Sequence, residues 1–263
     1  MNSIILCEGE TDQIIISYYF IMNFGFKPCE KLPMIAPKKL NPKNKAEKIY
    51  AYNRDDDNLI MWAVGGHEDV FEKALRSVLN RNKLNSPINE IYYQICIVTD
   101  HDSDEELNNF WQRINQCLKS YGIMEEVQSA KWVDVKQPID FEDEDIQINL
   151  LGLPVPLDEN GALEVLLLNA FNEKEYNSYI VKKSRDVIDD LLKNKDKFFE
   201  DYLSTRREQI KAPLAVFLAI TAPEQTFELI DTMMQSVPWN EYKAIKEQFS
   251  VFNVFRKDIE VAP

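Results

Sequence analysis

The sequence IYYQICIVT at residues 91–99 indicates a buried β-strand, because it is rich in β-branched and aromatic residues and ends at Asp100. A helical pattern follows it, with apolar residues three or four positions apart between Leu107 and Leu118. The same order of strand and helix occurs twice earlier, with strands at Ser3 to Cys7 and Leu59 to Val64 and helices at Thr11 to Phe24 and Glu68 to Leu79. Three such units in series predict an α/β fold, a parallel sheet flanked by helices.

The second half of the chain has a different pattern. Two more strands are predicted at Lys131 to Val135 and Ile146 to Leu151, and Pro154 and Pro156 follow them. Helical patterns then occur at 162–171, 184–203, 207–220, 224–235 and 239–249. We therefore predict an α/β domain over residues 1–155 and an all-helical C-terminal extension over residues 156–263, which either packs against that domain or folds alone.

The composition is that of a soluble folded protein, with 263 residues, 45% hydrophobic and 28% charged. No apolar stretch approaches the ~20 residues that a membrane-spanning helix needs. The apolar run from Ile4 to Cys7 is too short for the core of a signal peptide. The four cysteines form no C-x-x-C pair. We expect a cytoplasmic protein with reduced thiols and no membrane partner.

The net charge of −14 repels phosphate, so binding to nucleic acid requires bound cations or a local basic patch. One such patch exists: the basic segment, residues 27–48, carries seven lysines against two acids. Its candidate contacts to nucleic acid are Lys38, Lys39, Lys43 and Lys45. The alternative is an ordinary solvated loop.

Acidic residues follow two of the predicted strands. Glu8 comes directly after the first strand, Asp100 ends the third, and Asp102 follows two residues later. Because ligands bind at the carboxyl ends of parallel strands and neighbouring strands lie ~4.8 Å apart, these carboxylates would converge if the two strands are neighbours. Adjacent carboxylates do not all stay ionised without a cation. Mg²⁺ is the natural partner, since it binds one or two carboxylates and keeps several waters.

Three motifs together resemble a known superfamily. In order they are ILCEGETD at residues 5–12, AVGG at residues 63–66 and CIVTDHD at residues 96–102. They resemble the Toprim domain, the Mg²⁺-binding α/β module of topoisomerases, bacterial primases and several nucleases, and the similarity covers roughly residues 3–135. The small stand-alone proteins of the OLD-like branch are the most similar. The resemblance implies that Glu8 is a general acid/base or metal ligand and that Asp100 and Asp102 hold Mg²⁺.

The OLD-like branch implies further site residues. Asp12 and Glu164 would be additional metal ligands, and Lys211 would neutralise charge in the transition state. With two Mg²⁺ ions, for which Mn²⁺ could substitute, this set implies two-metal phosphodiester hydrolysis. Each residue has an ordinary alternative: Asp12 and Glu164 are typical of acids near helix N-termini, and Lys211 of a surface lysine. His101, between two candidate ligands, is expected to contact them indirectly.

Glycines follow the first two strands. Gly9, Gly65 and Gly66 are interpreted as residues that permit tight turns from strand to helix. Walker A, G-x-G-x-x-G and G-x-S-x-G motifs do not occur in the sequence, which argues against a P-loop NTPase, a dinucleotide enzyme and a serine hydrolase.

The function that these observations and the resemblance imply is Mg²⁺-dependent cleavage of DNA or RNA. The chain leaves little room for the tyrosine-bearing domain of a topoisomerase, and it lacks the zinc module of a primase. The alternative from another class is a Toprim-like binding module with little or no activity, which acts with a protein partner or as a homo-oligomer.

Overall fold

The computed structural model describes residues 1–66, 68–84, 90–140, 145–194, 203–223 and 237–256. The strands within these ranges are β1 (Asn2–Cys7), β2 (Lys27–Pro28), β3 (Lys48–Arg54), β4 (Asp57–Ala63), β5 (Gln94–Asp100), β6 (Trp132–Gln137) and β7 (Ile146–Val155). The α-helices are α1 (Glu10–Phe24), α2 (Glu68–Leu84), α3 (Asp104–Lys119), α4 (Leu163–Asn172), α5 (Glu175–Lys193), α6 (Arg206–Thr221) and α7 (Lys243–Gln248). Short 3₁₀ helices occupy Trp239–Glu241 and Ser250–Phe255. None of the described helices is long and apolar enough to cross a membrane.

The strands form one sheet in the order β2-β3-β4-β1-β5-β7-β6. Its four central strands, β4, β1, β5 and β7, are parallel. The outer strands β3 and β6 run antiparallel to their neighbours. The predicted α/β class is therefore confirmed, with a sheet that is parallel at its centre and antiparallel at both edges.

β2 and β3 were not predicted, and β7 is longer than predicted. β3 is an addition, because its sequence KIYAYNR mixes charged and aromatic residues and has only a weak hydrophobic pattern. β7 continues to Val155, beyond its predicted end, although it contains Pro154. Its pairing with β6 ends at Leu151, so Pro154 has no β6 residue opposite it and its missing N–H removes no bond on that side.

The sheet separates two hydrophobic cores, because alternate residues of a strand face opposite sides. In β1, Ile4 and Leu6 face α2 and α3, whereas Ile5 and Cys7 face α1 and the C-terminal helices. Both cores are fully enclosed at their centres, where the most buried aromatic residues include Trp62. Helices therefore cover both faces of the sheet and leave its carboxyl edge as the place for a site.

The C-terminal helices pack on the same face of the sheet as α1. Phe20 of α1 contacts Phe252 and Phe255, with ring centroids 5.0 Å apart in each pair. Trp132 of β6 donates a hydrogen bond from Nε1 to the Val251 carbonyl at 2.8 Å. The division at residue 155 stays a prediction, but the two parts share a core.

The predicted C-terminal helices have varied outcomes. The patterns at 162–171 and 207–220 correspond closely to α4 and α6. α5 begins nine residues before the predicted helix at 184–203, because polar and aromatic residues near its start obscure the apolar repeat. The pattern at 239–249 is divided between a 3₁₀ turn and α7. The predicted helix at 224–235 lies outside the described residues.

Candidate active site

Three acidic residues line one cavity at the carboxyl edge of β1 and β5. Glu8 directly follows β1, and Asp100 is the last residue of β5. The two strands are parallel neighbours with Cys7 paired to Val98, so Glu8 and Asp100 leave the same edge one strand apart. Together with Asp102 they line a cavity of about 290 Å³. The structure thus brings together the acids found at the predicted strand ends, and their function stays a prediction.

Asp100 is in an environment that disfavours its charge. Burial, together with the negative charges of Asp12 and Glu8, raises the pKa of Asp100 to about 9. Glu164 and Asp102 contribute in the same direction. These causes all act in one direction, so the Asp100 carboxyl group is ready to bind a proton or a cation.

Asp12 joins this cluster from the first turn of α1. The pKa of Asp12 is raised to about 7, chiefly by burial, although the hydrogen bond that its Oδ2 accepts from the Gly9 N–H at 2.9 Å acts to lower it. The charges of Glu8 and Glu164 raise the pKa, whereas Lys211 lowers it. Asp12 therefore contributes to the capping of α1 and also lies near the other acids, and its role as a metal ligand stays a prediction.

Glu164 and Lys211 form an ion pair beside the cluster. Lys211 Nζ lies 2.6 Å from Glu164 Oε1, and the Glu164 side chain is only 15% exposed. Glu164 is in the first turn of α4 and Lys211 is in α6, so tertiary packing brings them together. Both act electrostatically on Asp12, which places them at the edge of the same site.

Two arginines at the start of α6 are further site residues, which the sequence patterns did not indicate. Arg207 Nη1 lies 3.4 Å from Glu8 Oε1, and Arg206 Nη1 lies 3.4 Å from Glu106 Oε2. Burial and Glu106 raise the pKa of Asp102, and both arginines lower it. The run RREQIK at residues 206–211 is the only sequence signal, and by itself it is typical of an exposed helical turn.

In the turn after β4, the backbone requires glycine at position 65. Gly65 has φ +67°, and a Cβ there would lie 2.6 Å from the backbone of Ala46 and Glu47. Its N–H donates to the Glu8 carbonyl at 3.0 Å. Gly66 lines the cavity, and a Cβ on it would approach the Val70 side chain to 2.9 Å. Gly9 caps α1 with extended backbone and needs no positive φ.

The basic segment lies against this turn. Asn44 Nδ2 donates to the Gly65 carbonyl at 3.0 Å, and β3 begins next to the carboxyl end of β4, with Lys48 opposite Ala63. The segment is therefore beside the carboxylate edge on its β4 side. Its candidate lysines are Lys38, Lys43 and Lys45, which are exposed, and Lys39, which is half-buried and donates to the Glu47 carbonyl.

His101 is buried next to the site and contacts the residues that flank it. Its Nδ1 lies 3.1 Å from the Pro156 carbonyl and its Nε2 lies 3.0 Å from Asp104 Oδ1. Its own carbonyl accepts a hydrogen bond from the Gly161 N–H at 2.7 Å. His101 thereby connects the end of β5 to the segment that leads into α4 and positions Glu164.

The donor set around the cavity suits a hard cation. Asp and Glu side chains offer carboxylate oxygens, the ligands that Mg²⁺ prefers. Within the described ranges, no three His, Cys, Asp or Glu side chains are close enough together to form a complete metal-binding group. Mg²⁺ is usually held by one or two carboxylates with water as its other ligands.

The fold and the site define an α/β protein with a carboxylate cluster at the carboxyl edge of its parallel strands. The sequence model of a family described as "Protein of unknown function (DUF3226)" matches residues 2–252, and the chain belongs to that family. A solved structure, hypothetical protein PH0156 from Pyrococcus horikoshii OT3, is similar in fold, with 18% identity and a TM-score of 0.53 over 97% of this chain and 93% of that one. No curated protein matches the chain. The Toprim resemblance stays a prediction from the three motifs.

Proposed function

We propose that this protein hydrolyses phosphodiester bonds of DNA or RNA with Mg²⁺ as cofactor, for which Mn²⁺ can substitute. The observation that carries the proposal is the convergence of Glu8, Asp12 and Asp100 on one site, where burial and mutual repulsion raise the pKa of Asp100 to about 9. A divalent cation removes this repulsion and allows the carboxylates to stay ionised at neutral pH. The motifs that resemble the Toprim domain support the same interpretation.

The residues have distinct roles in this proposal. Asp100 and Asp102 would hold the first ion, and Asp12 and Glu164 would hold a second. Bound Mg²⁺ would supply an activated water and neutralise charge on the phosphate oxygens. Glu8, which follows β1 at the centre of the edge, accepts or returns the proton at the reacting oxygen. Lys211 adds positive charge near the developing phosphorane, while its pairing with Glu164 fixes its position.

The basic segment answers the objection raised by the net charge of −14. Exposed lysines such as Lys43 and Lys45 lie beside the carboxylate edge, where they can contact the phosphates that flank the cleaved bond. We propose a cytoplasmic location, which the four free cysteines fit.

A cleavage assay tests the proposal. Supercoiled plasmid DNA and a structured RNA are incubated with the protein in Mg²⁺, in Mn²⁺ and in chelator. We expect metal-dependent cleavage of at least one substrate and its loss in Glu8→Gln and in Asp100→Asn. Glu105→Gln, which removes a charge from the exposed side of α3, is the matched control and should remain active. Cleavage that persists in both site variants would show that another site or a contaminant is responsible.

A second candidate is a binding module that does not cleave. The observation that favours it is that two acids of the site already have internal cations, Arg207 on Glu8 and Lys211 on Glu164. Such pairs can stabilise an acidic surface without metal, and the surface would then serve a protein partner or a second copy of the chain. A folded protein that cleaves no substrate in Mg²⁺ or in Mn²⁺ would favour this function.

A further inference from the structure

The contact between Arg207 and Glu8 differs from its neighbour, the contact between Lys211 and Glu164. The Arg207 guanidinium reaches Glu8 through one 3.4 Å approach, and its side chain is 60% exposed. Lys211 approaches Glu164 to 2.6 Å, and both side chains are more buried. Exposed ion pairs at long distance are weak, because water and salt screen them. The Arg207 contact is therefore the easier of the two to exchange.

Arg207 also competes directly with any cation at the site. Glu8 lines the cavity with Asp100 and Asp102, and Arg207 lines the same cavity. A divalent ion bound beside Glu8 would repel the guanidinium and offer the carboxylate a stronger partner. Since Arg207 lies on the exposed first turn of α6, its long side chain can turn away without disturbing the core.

A displaced arginine at the cavity mouth is suited to bind phosphate. The planar guanidinium donates two parallel hydrogen bonds to phosphate oxygens, which a lysine cannot do. The basic segment provides lysines on the β4 side of the edge, and Arg206 and Arg207 contact Glu106 and Glu8 from α6. A nucleic-acid backbone that lies across the cavity would therefore meet cationic side chains from two separate elements.

We propose that Arg207 exchanges partners: it neutralises Glu8 in the metal-free protein, and it binds a backbone phosphate of the nucleic acid once a divalent ion has taken its place. This inference rests on the proposed function, because it requires both the ion and the nucleic acid. It makes Arg207 a residue that weakens metal binding and strengthens substrate binding. The two effects have opposite signs, which a purely structural role would not produce.

Arg207→Ala and Arg207→Lys test the proposal through two measurements that do not depend on cleavage. The first is thermal unfolding against increasing Mn²⁺. The second is binding of short fluorescent DNA and RNA oligonucleotides in Ca²⁺, which replaces Mg²⁺ so that cleavage does not interfere. Arg185→Ala is the matched control, because Arg185 is an exposed arginine of α5 that contacts Asn169 and does not line the cavity.

For Arg207→Ala we expect half-saturation at an Mn²⁺ concentration about 2- to 5-fold lower, the effect of losing an exposed ion pair. We also expect weaker binding of the oligonucleotide, with the slope of log affinity against log salt reduced by about one contact. Arg207→Lys should restore the salt slope and only part of the affinity. Arg185→Ala should change neither quantity. Without metal, Arg207→Ala should be slightly less stable than the wild type, by the contribution of one exposed ion pair.

The outcomes separate this inference from the proposed function. If the wild type binds Mn²⁺ and nucleic acid but Arg207→Ala changes neither, the exchange is wrong and the proposed function stands. If Arg207→Ala weakens both, Arg207 only supports the shape of the site, which also contradicts the exchange. If the wild type binds neither probe, the proposed function fails and the inference fails with it.

Discussion

Replacing Asp100 by asparagine should stabilise the metal-free protein. The pKa of Asp100 is raised from its ordinary value of 3.8 to about 9, so the folded state binds a proton that the unfolded state releases. Folding stability that depends on this group is fully present below about pH 4 and is lost as the pH rises toward 9. Each pH unit in that interval lowers the free energy of unfolding by about 1.4 kcal/mol, so the loss at pH 7 is on the order of 4 kcal/mol.

The asparagine side chain has nearly the same shape and carries no charge, so the variant escapes this loss. For a chain of this length 1 kcal/mol shifts Tm by about 2–4 °C, and the variant should therefore unfold roughly 10 °C higher at pH 7 in chelator. The difference between the two proteins should shrink as the pH is lowered toward 4. The measurement is thermal unfolding by circular dichroism across this pH range.

Addition of Mg²⁺ or Mn²⁺ should narrow the difference in stability between the wild type and Asp100→Asn. A ligand that binds only the folded protein stabilises it by mass action, about 2.7 kcal/mol at a hundredfold excess over Kd. The wild type should gain this stability, and Asp100→Asn should gain much less, because it has lost a ligand oxygen with negative charge. Glu105→Gln, the exposed control on α3, should follow the wild type throughout. A variant that is less stable than the wild type at pH 7, or a difference that does not depend on pH, would refute this reasoning.

Three further predictions concern the surroundings of the site. Gly65→Ala should lower the free energy of unfolding by about 2–4 kcal/mol, because φ is +67° and the new Cβ would lie 2.6 Å from backbone atoms. Gly25→Ala is the control: φ is +72° but the space around it is open, so the loss should be only about 1–2 kcal/mol. Urea unfolding measures both values. Phe252→Ala should lower the free energy of unfolding by about 3–5 kcal/mol in the same assay, since the ring is fully buried against α1. A smaller loss would show that the C-terminal part contributes little to the shared core. Changing Lys43 and Lys45 together to alanine should weaken binding of DNA or RNA and reduce the slope of log affinity against log salt by about two contacts. An unchanged slope would show that the basic segment does not contact the nucleic acid.

The central part of the fold could be predicted because its strands are buried on both faces. β1, β4 and β5 appear in the sequence as short apolar runs, and the acids that end two of them are visible as abrupt changes of polarity. β3 could not be identified in this way, because one side of this strand is partly exposed and its residues alternate weakly. The length of α5 was missed for a similar reason, since exposed residues such as Tyr176 and Tyr179 occupy its first turns.

Only some residues of the candidate site could be identified from the sequence. Glu8, Asp100 and Asp102 are detectable because each is adjacent in sequence to a strongly patterned strand. Arg206 and Arg207 are not, because their relation to the acids exists only after α6 has packed against the carboxyl edge. No local pattern distinguishes an arginine that pairs with a site carboxylate from one that faces solvent.

The sequence by itself determined the α/β class, the main parallel strands and the acids at their ends, since hydrophobic periodicity and chain polarity are local properties that act over a few residues. The tertiary structure alone decided that β1 and β5 are neighbours, that the basic segment lies against Gly65, and that α6 supplies the cations facing the acids. These relations join residues as much as 199 positions apart, from Glu8 to Arg207. They result from the packing of whole elements, and a carboxylate acquires a pKa of about 9 only when that packing removes water and collects other charges around it.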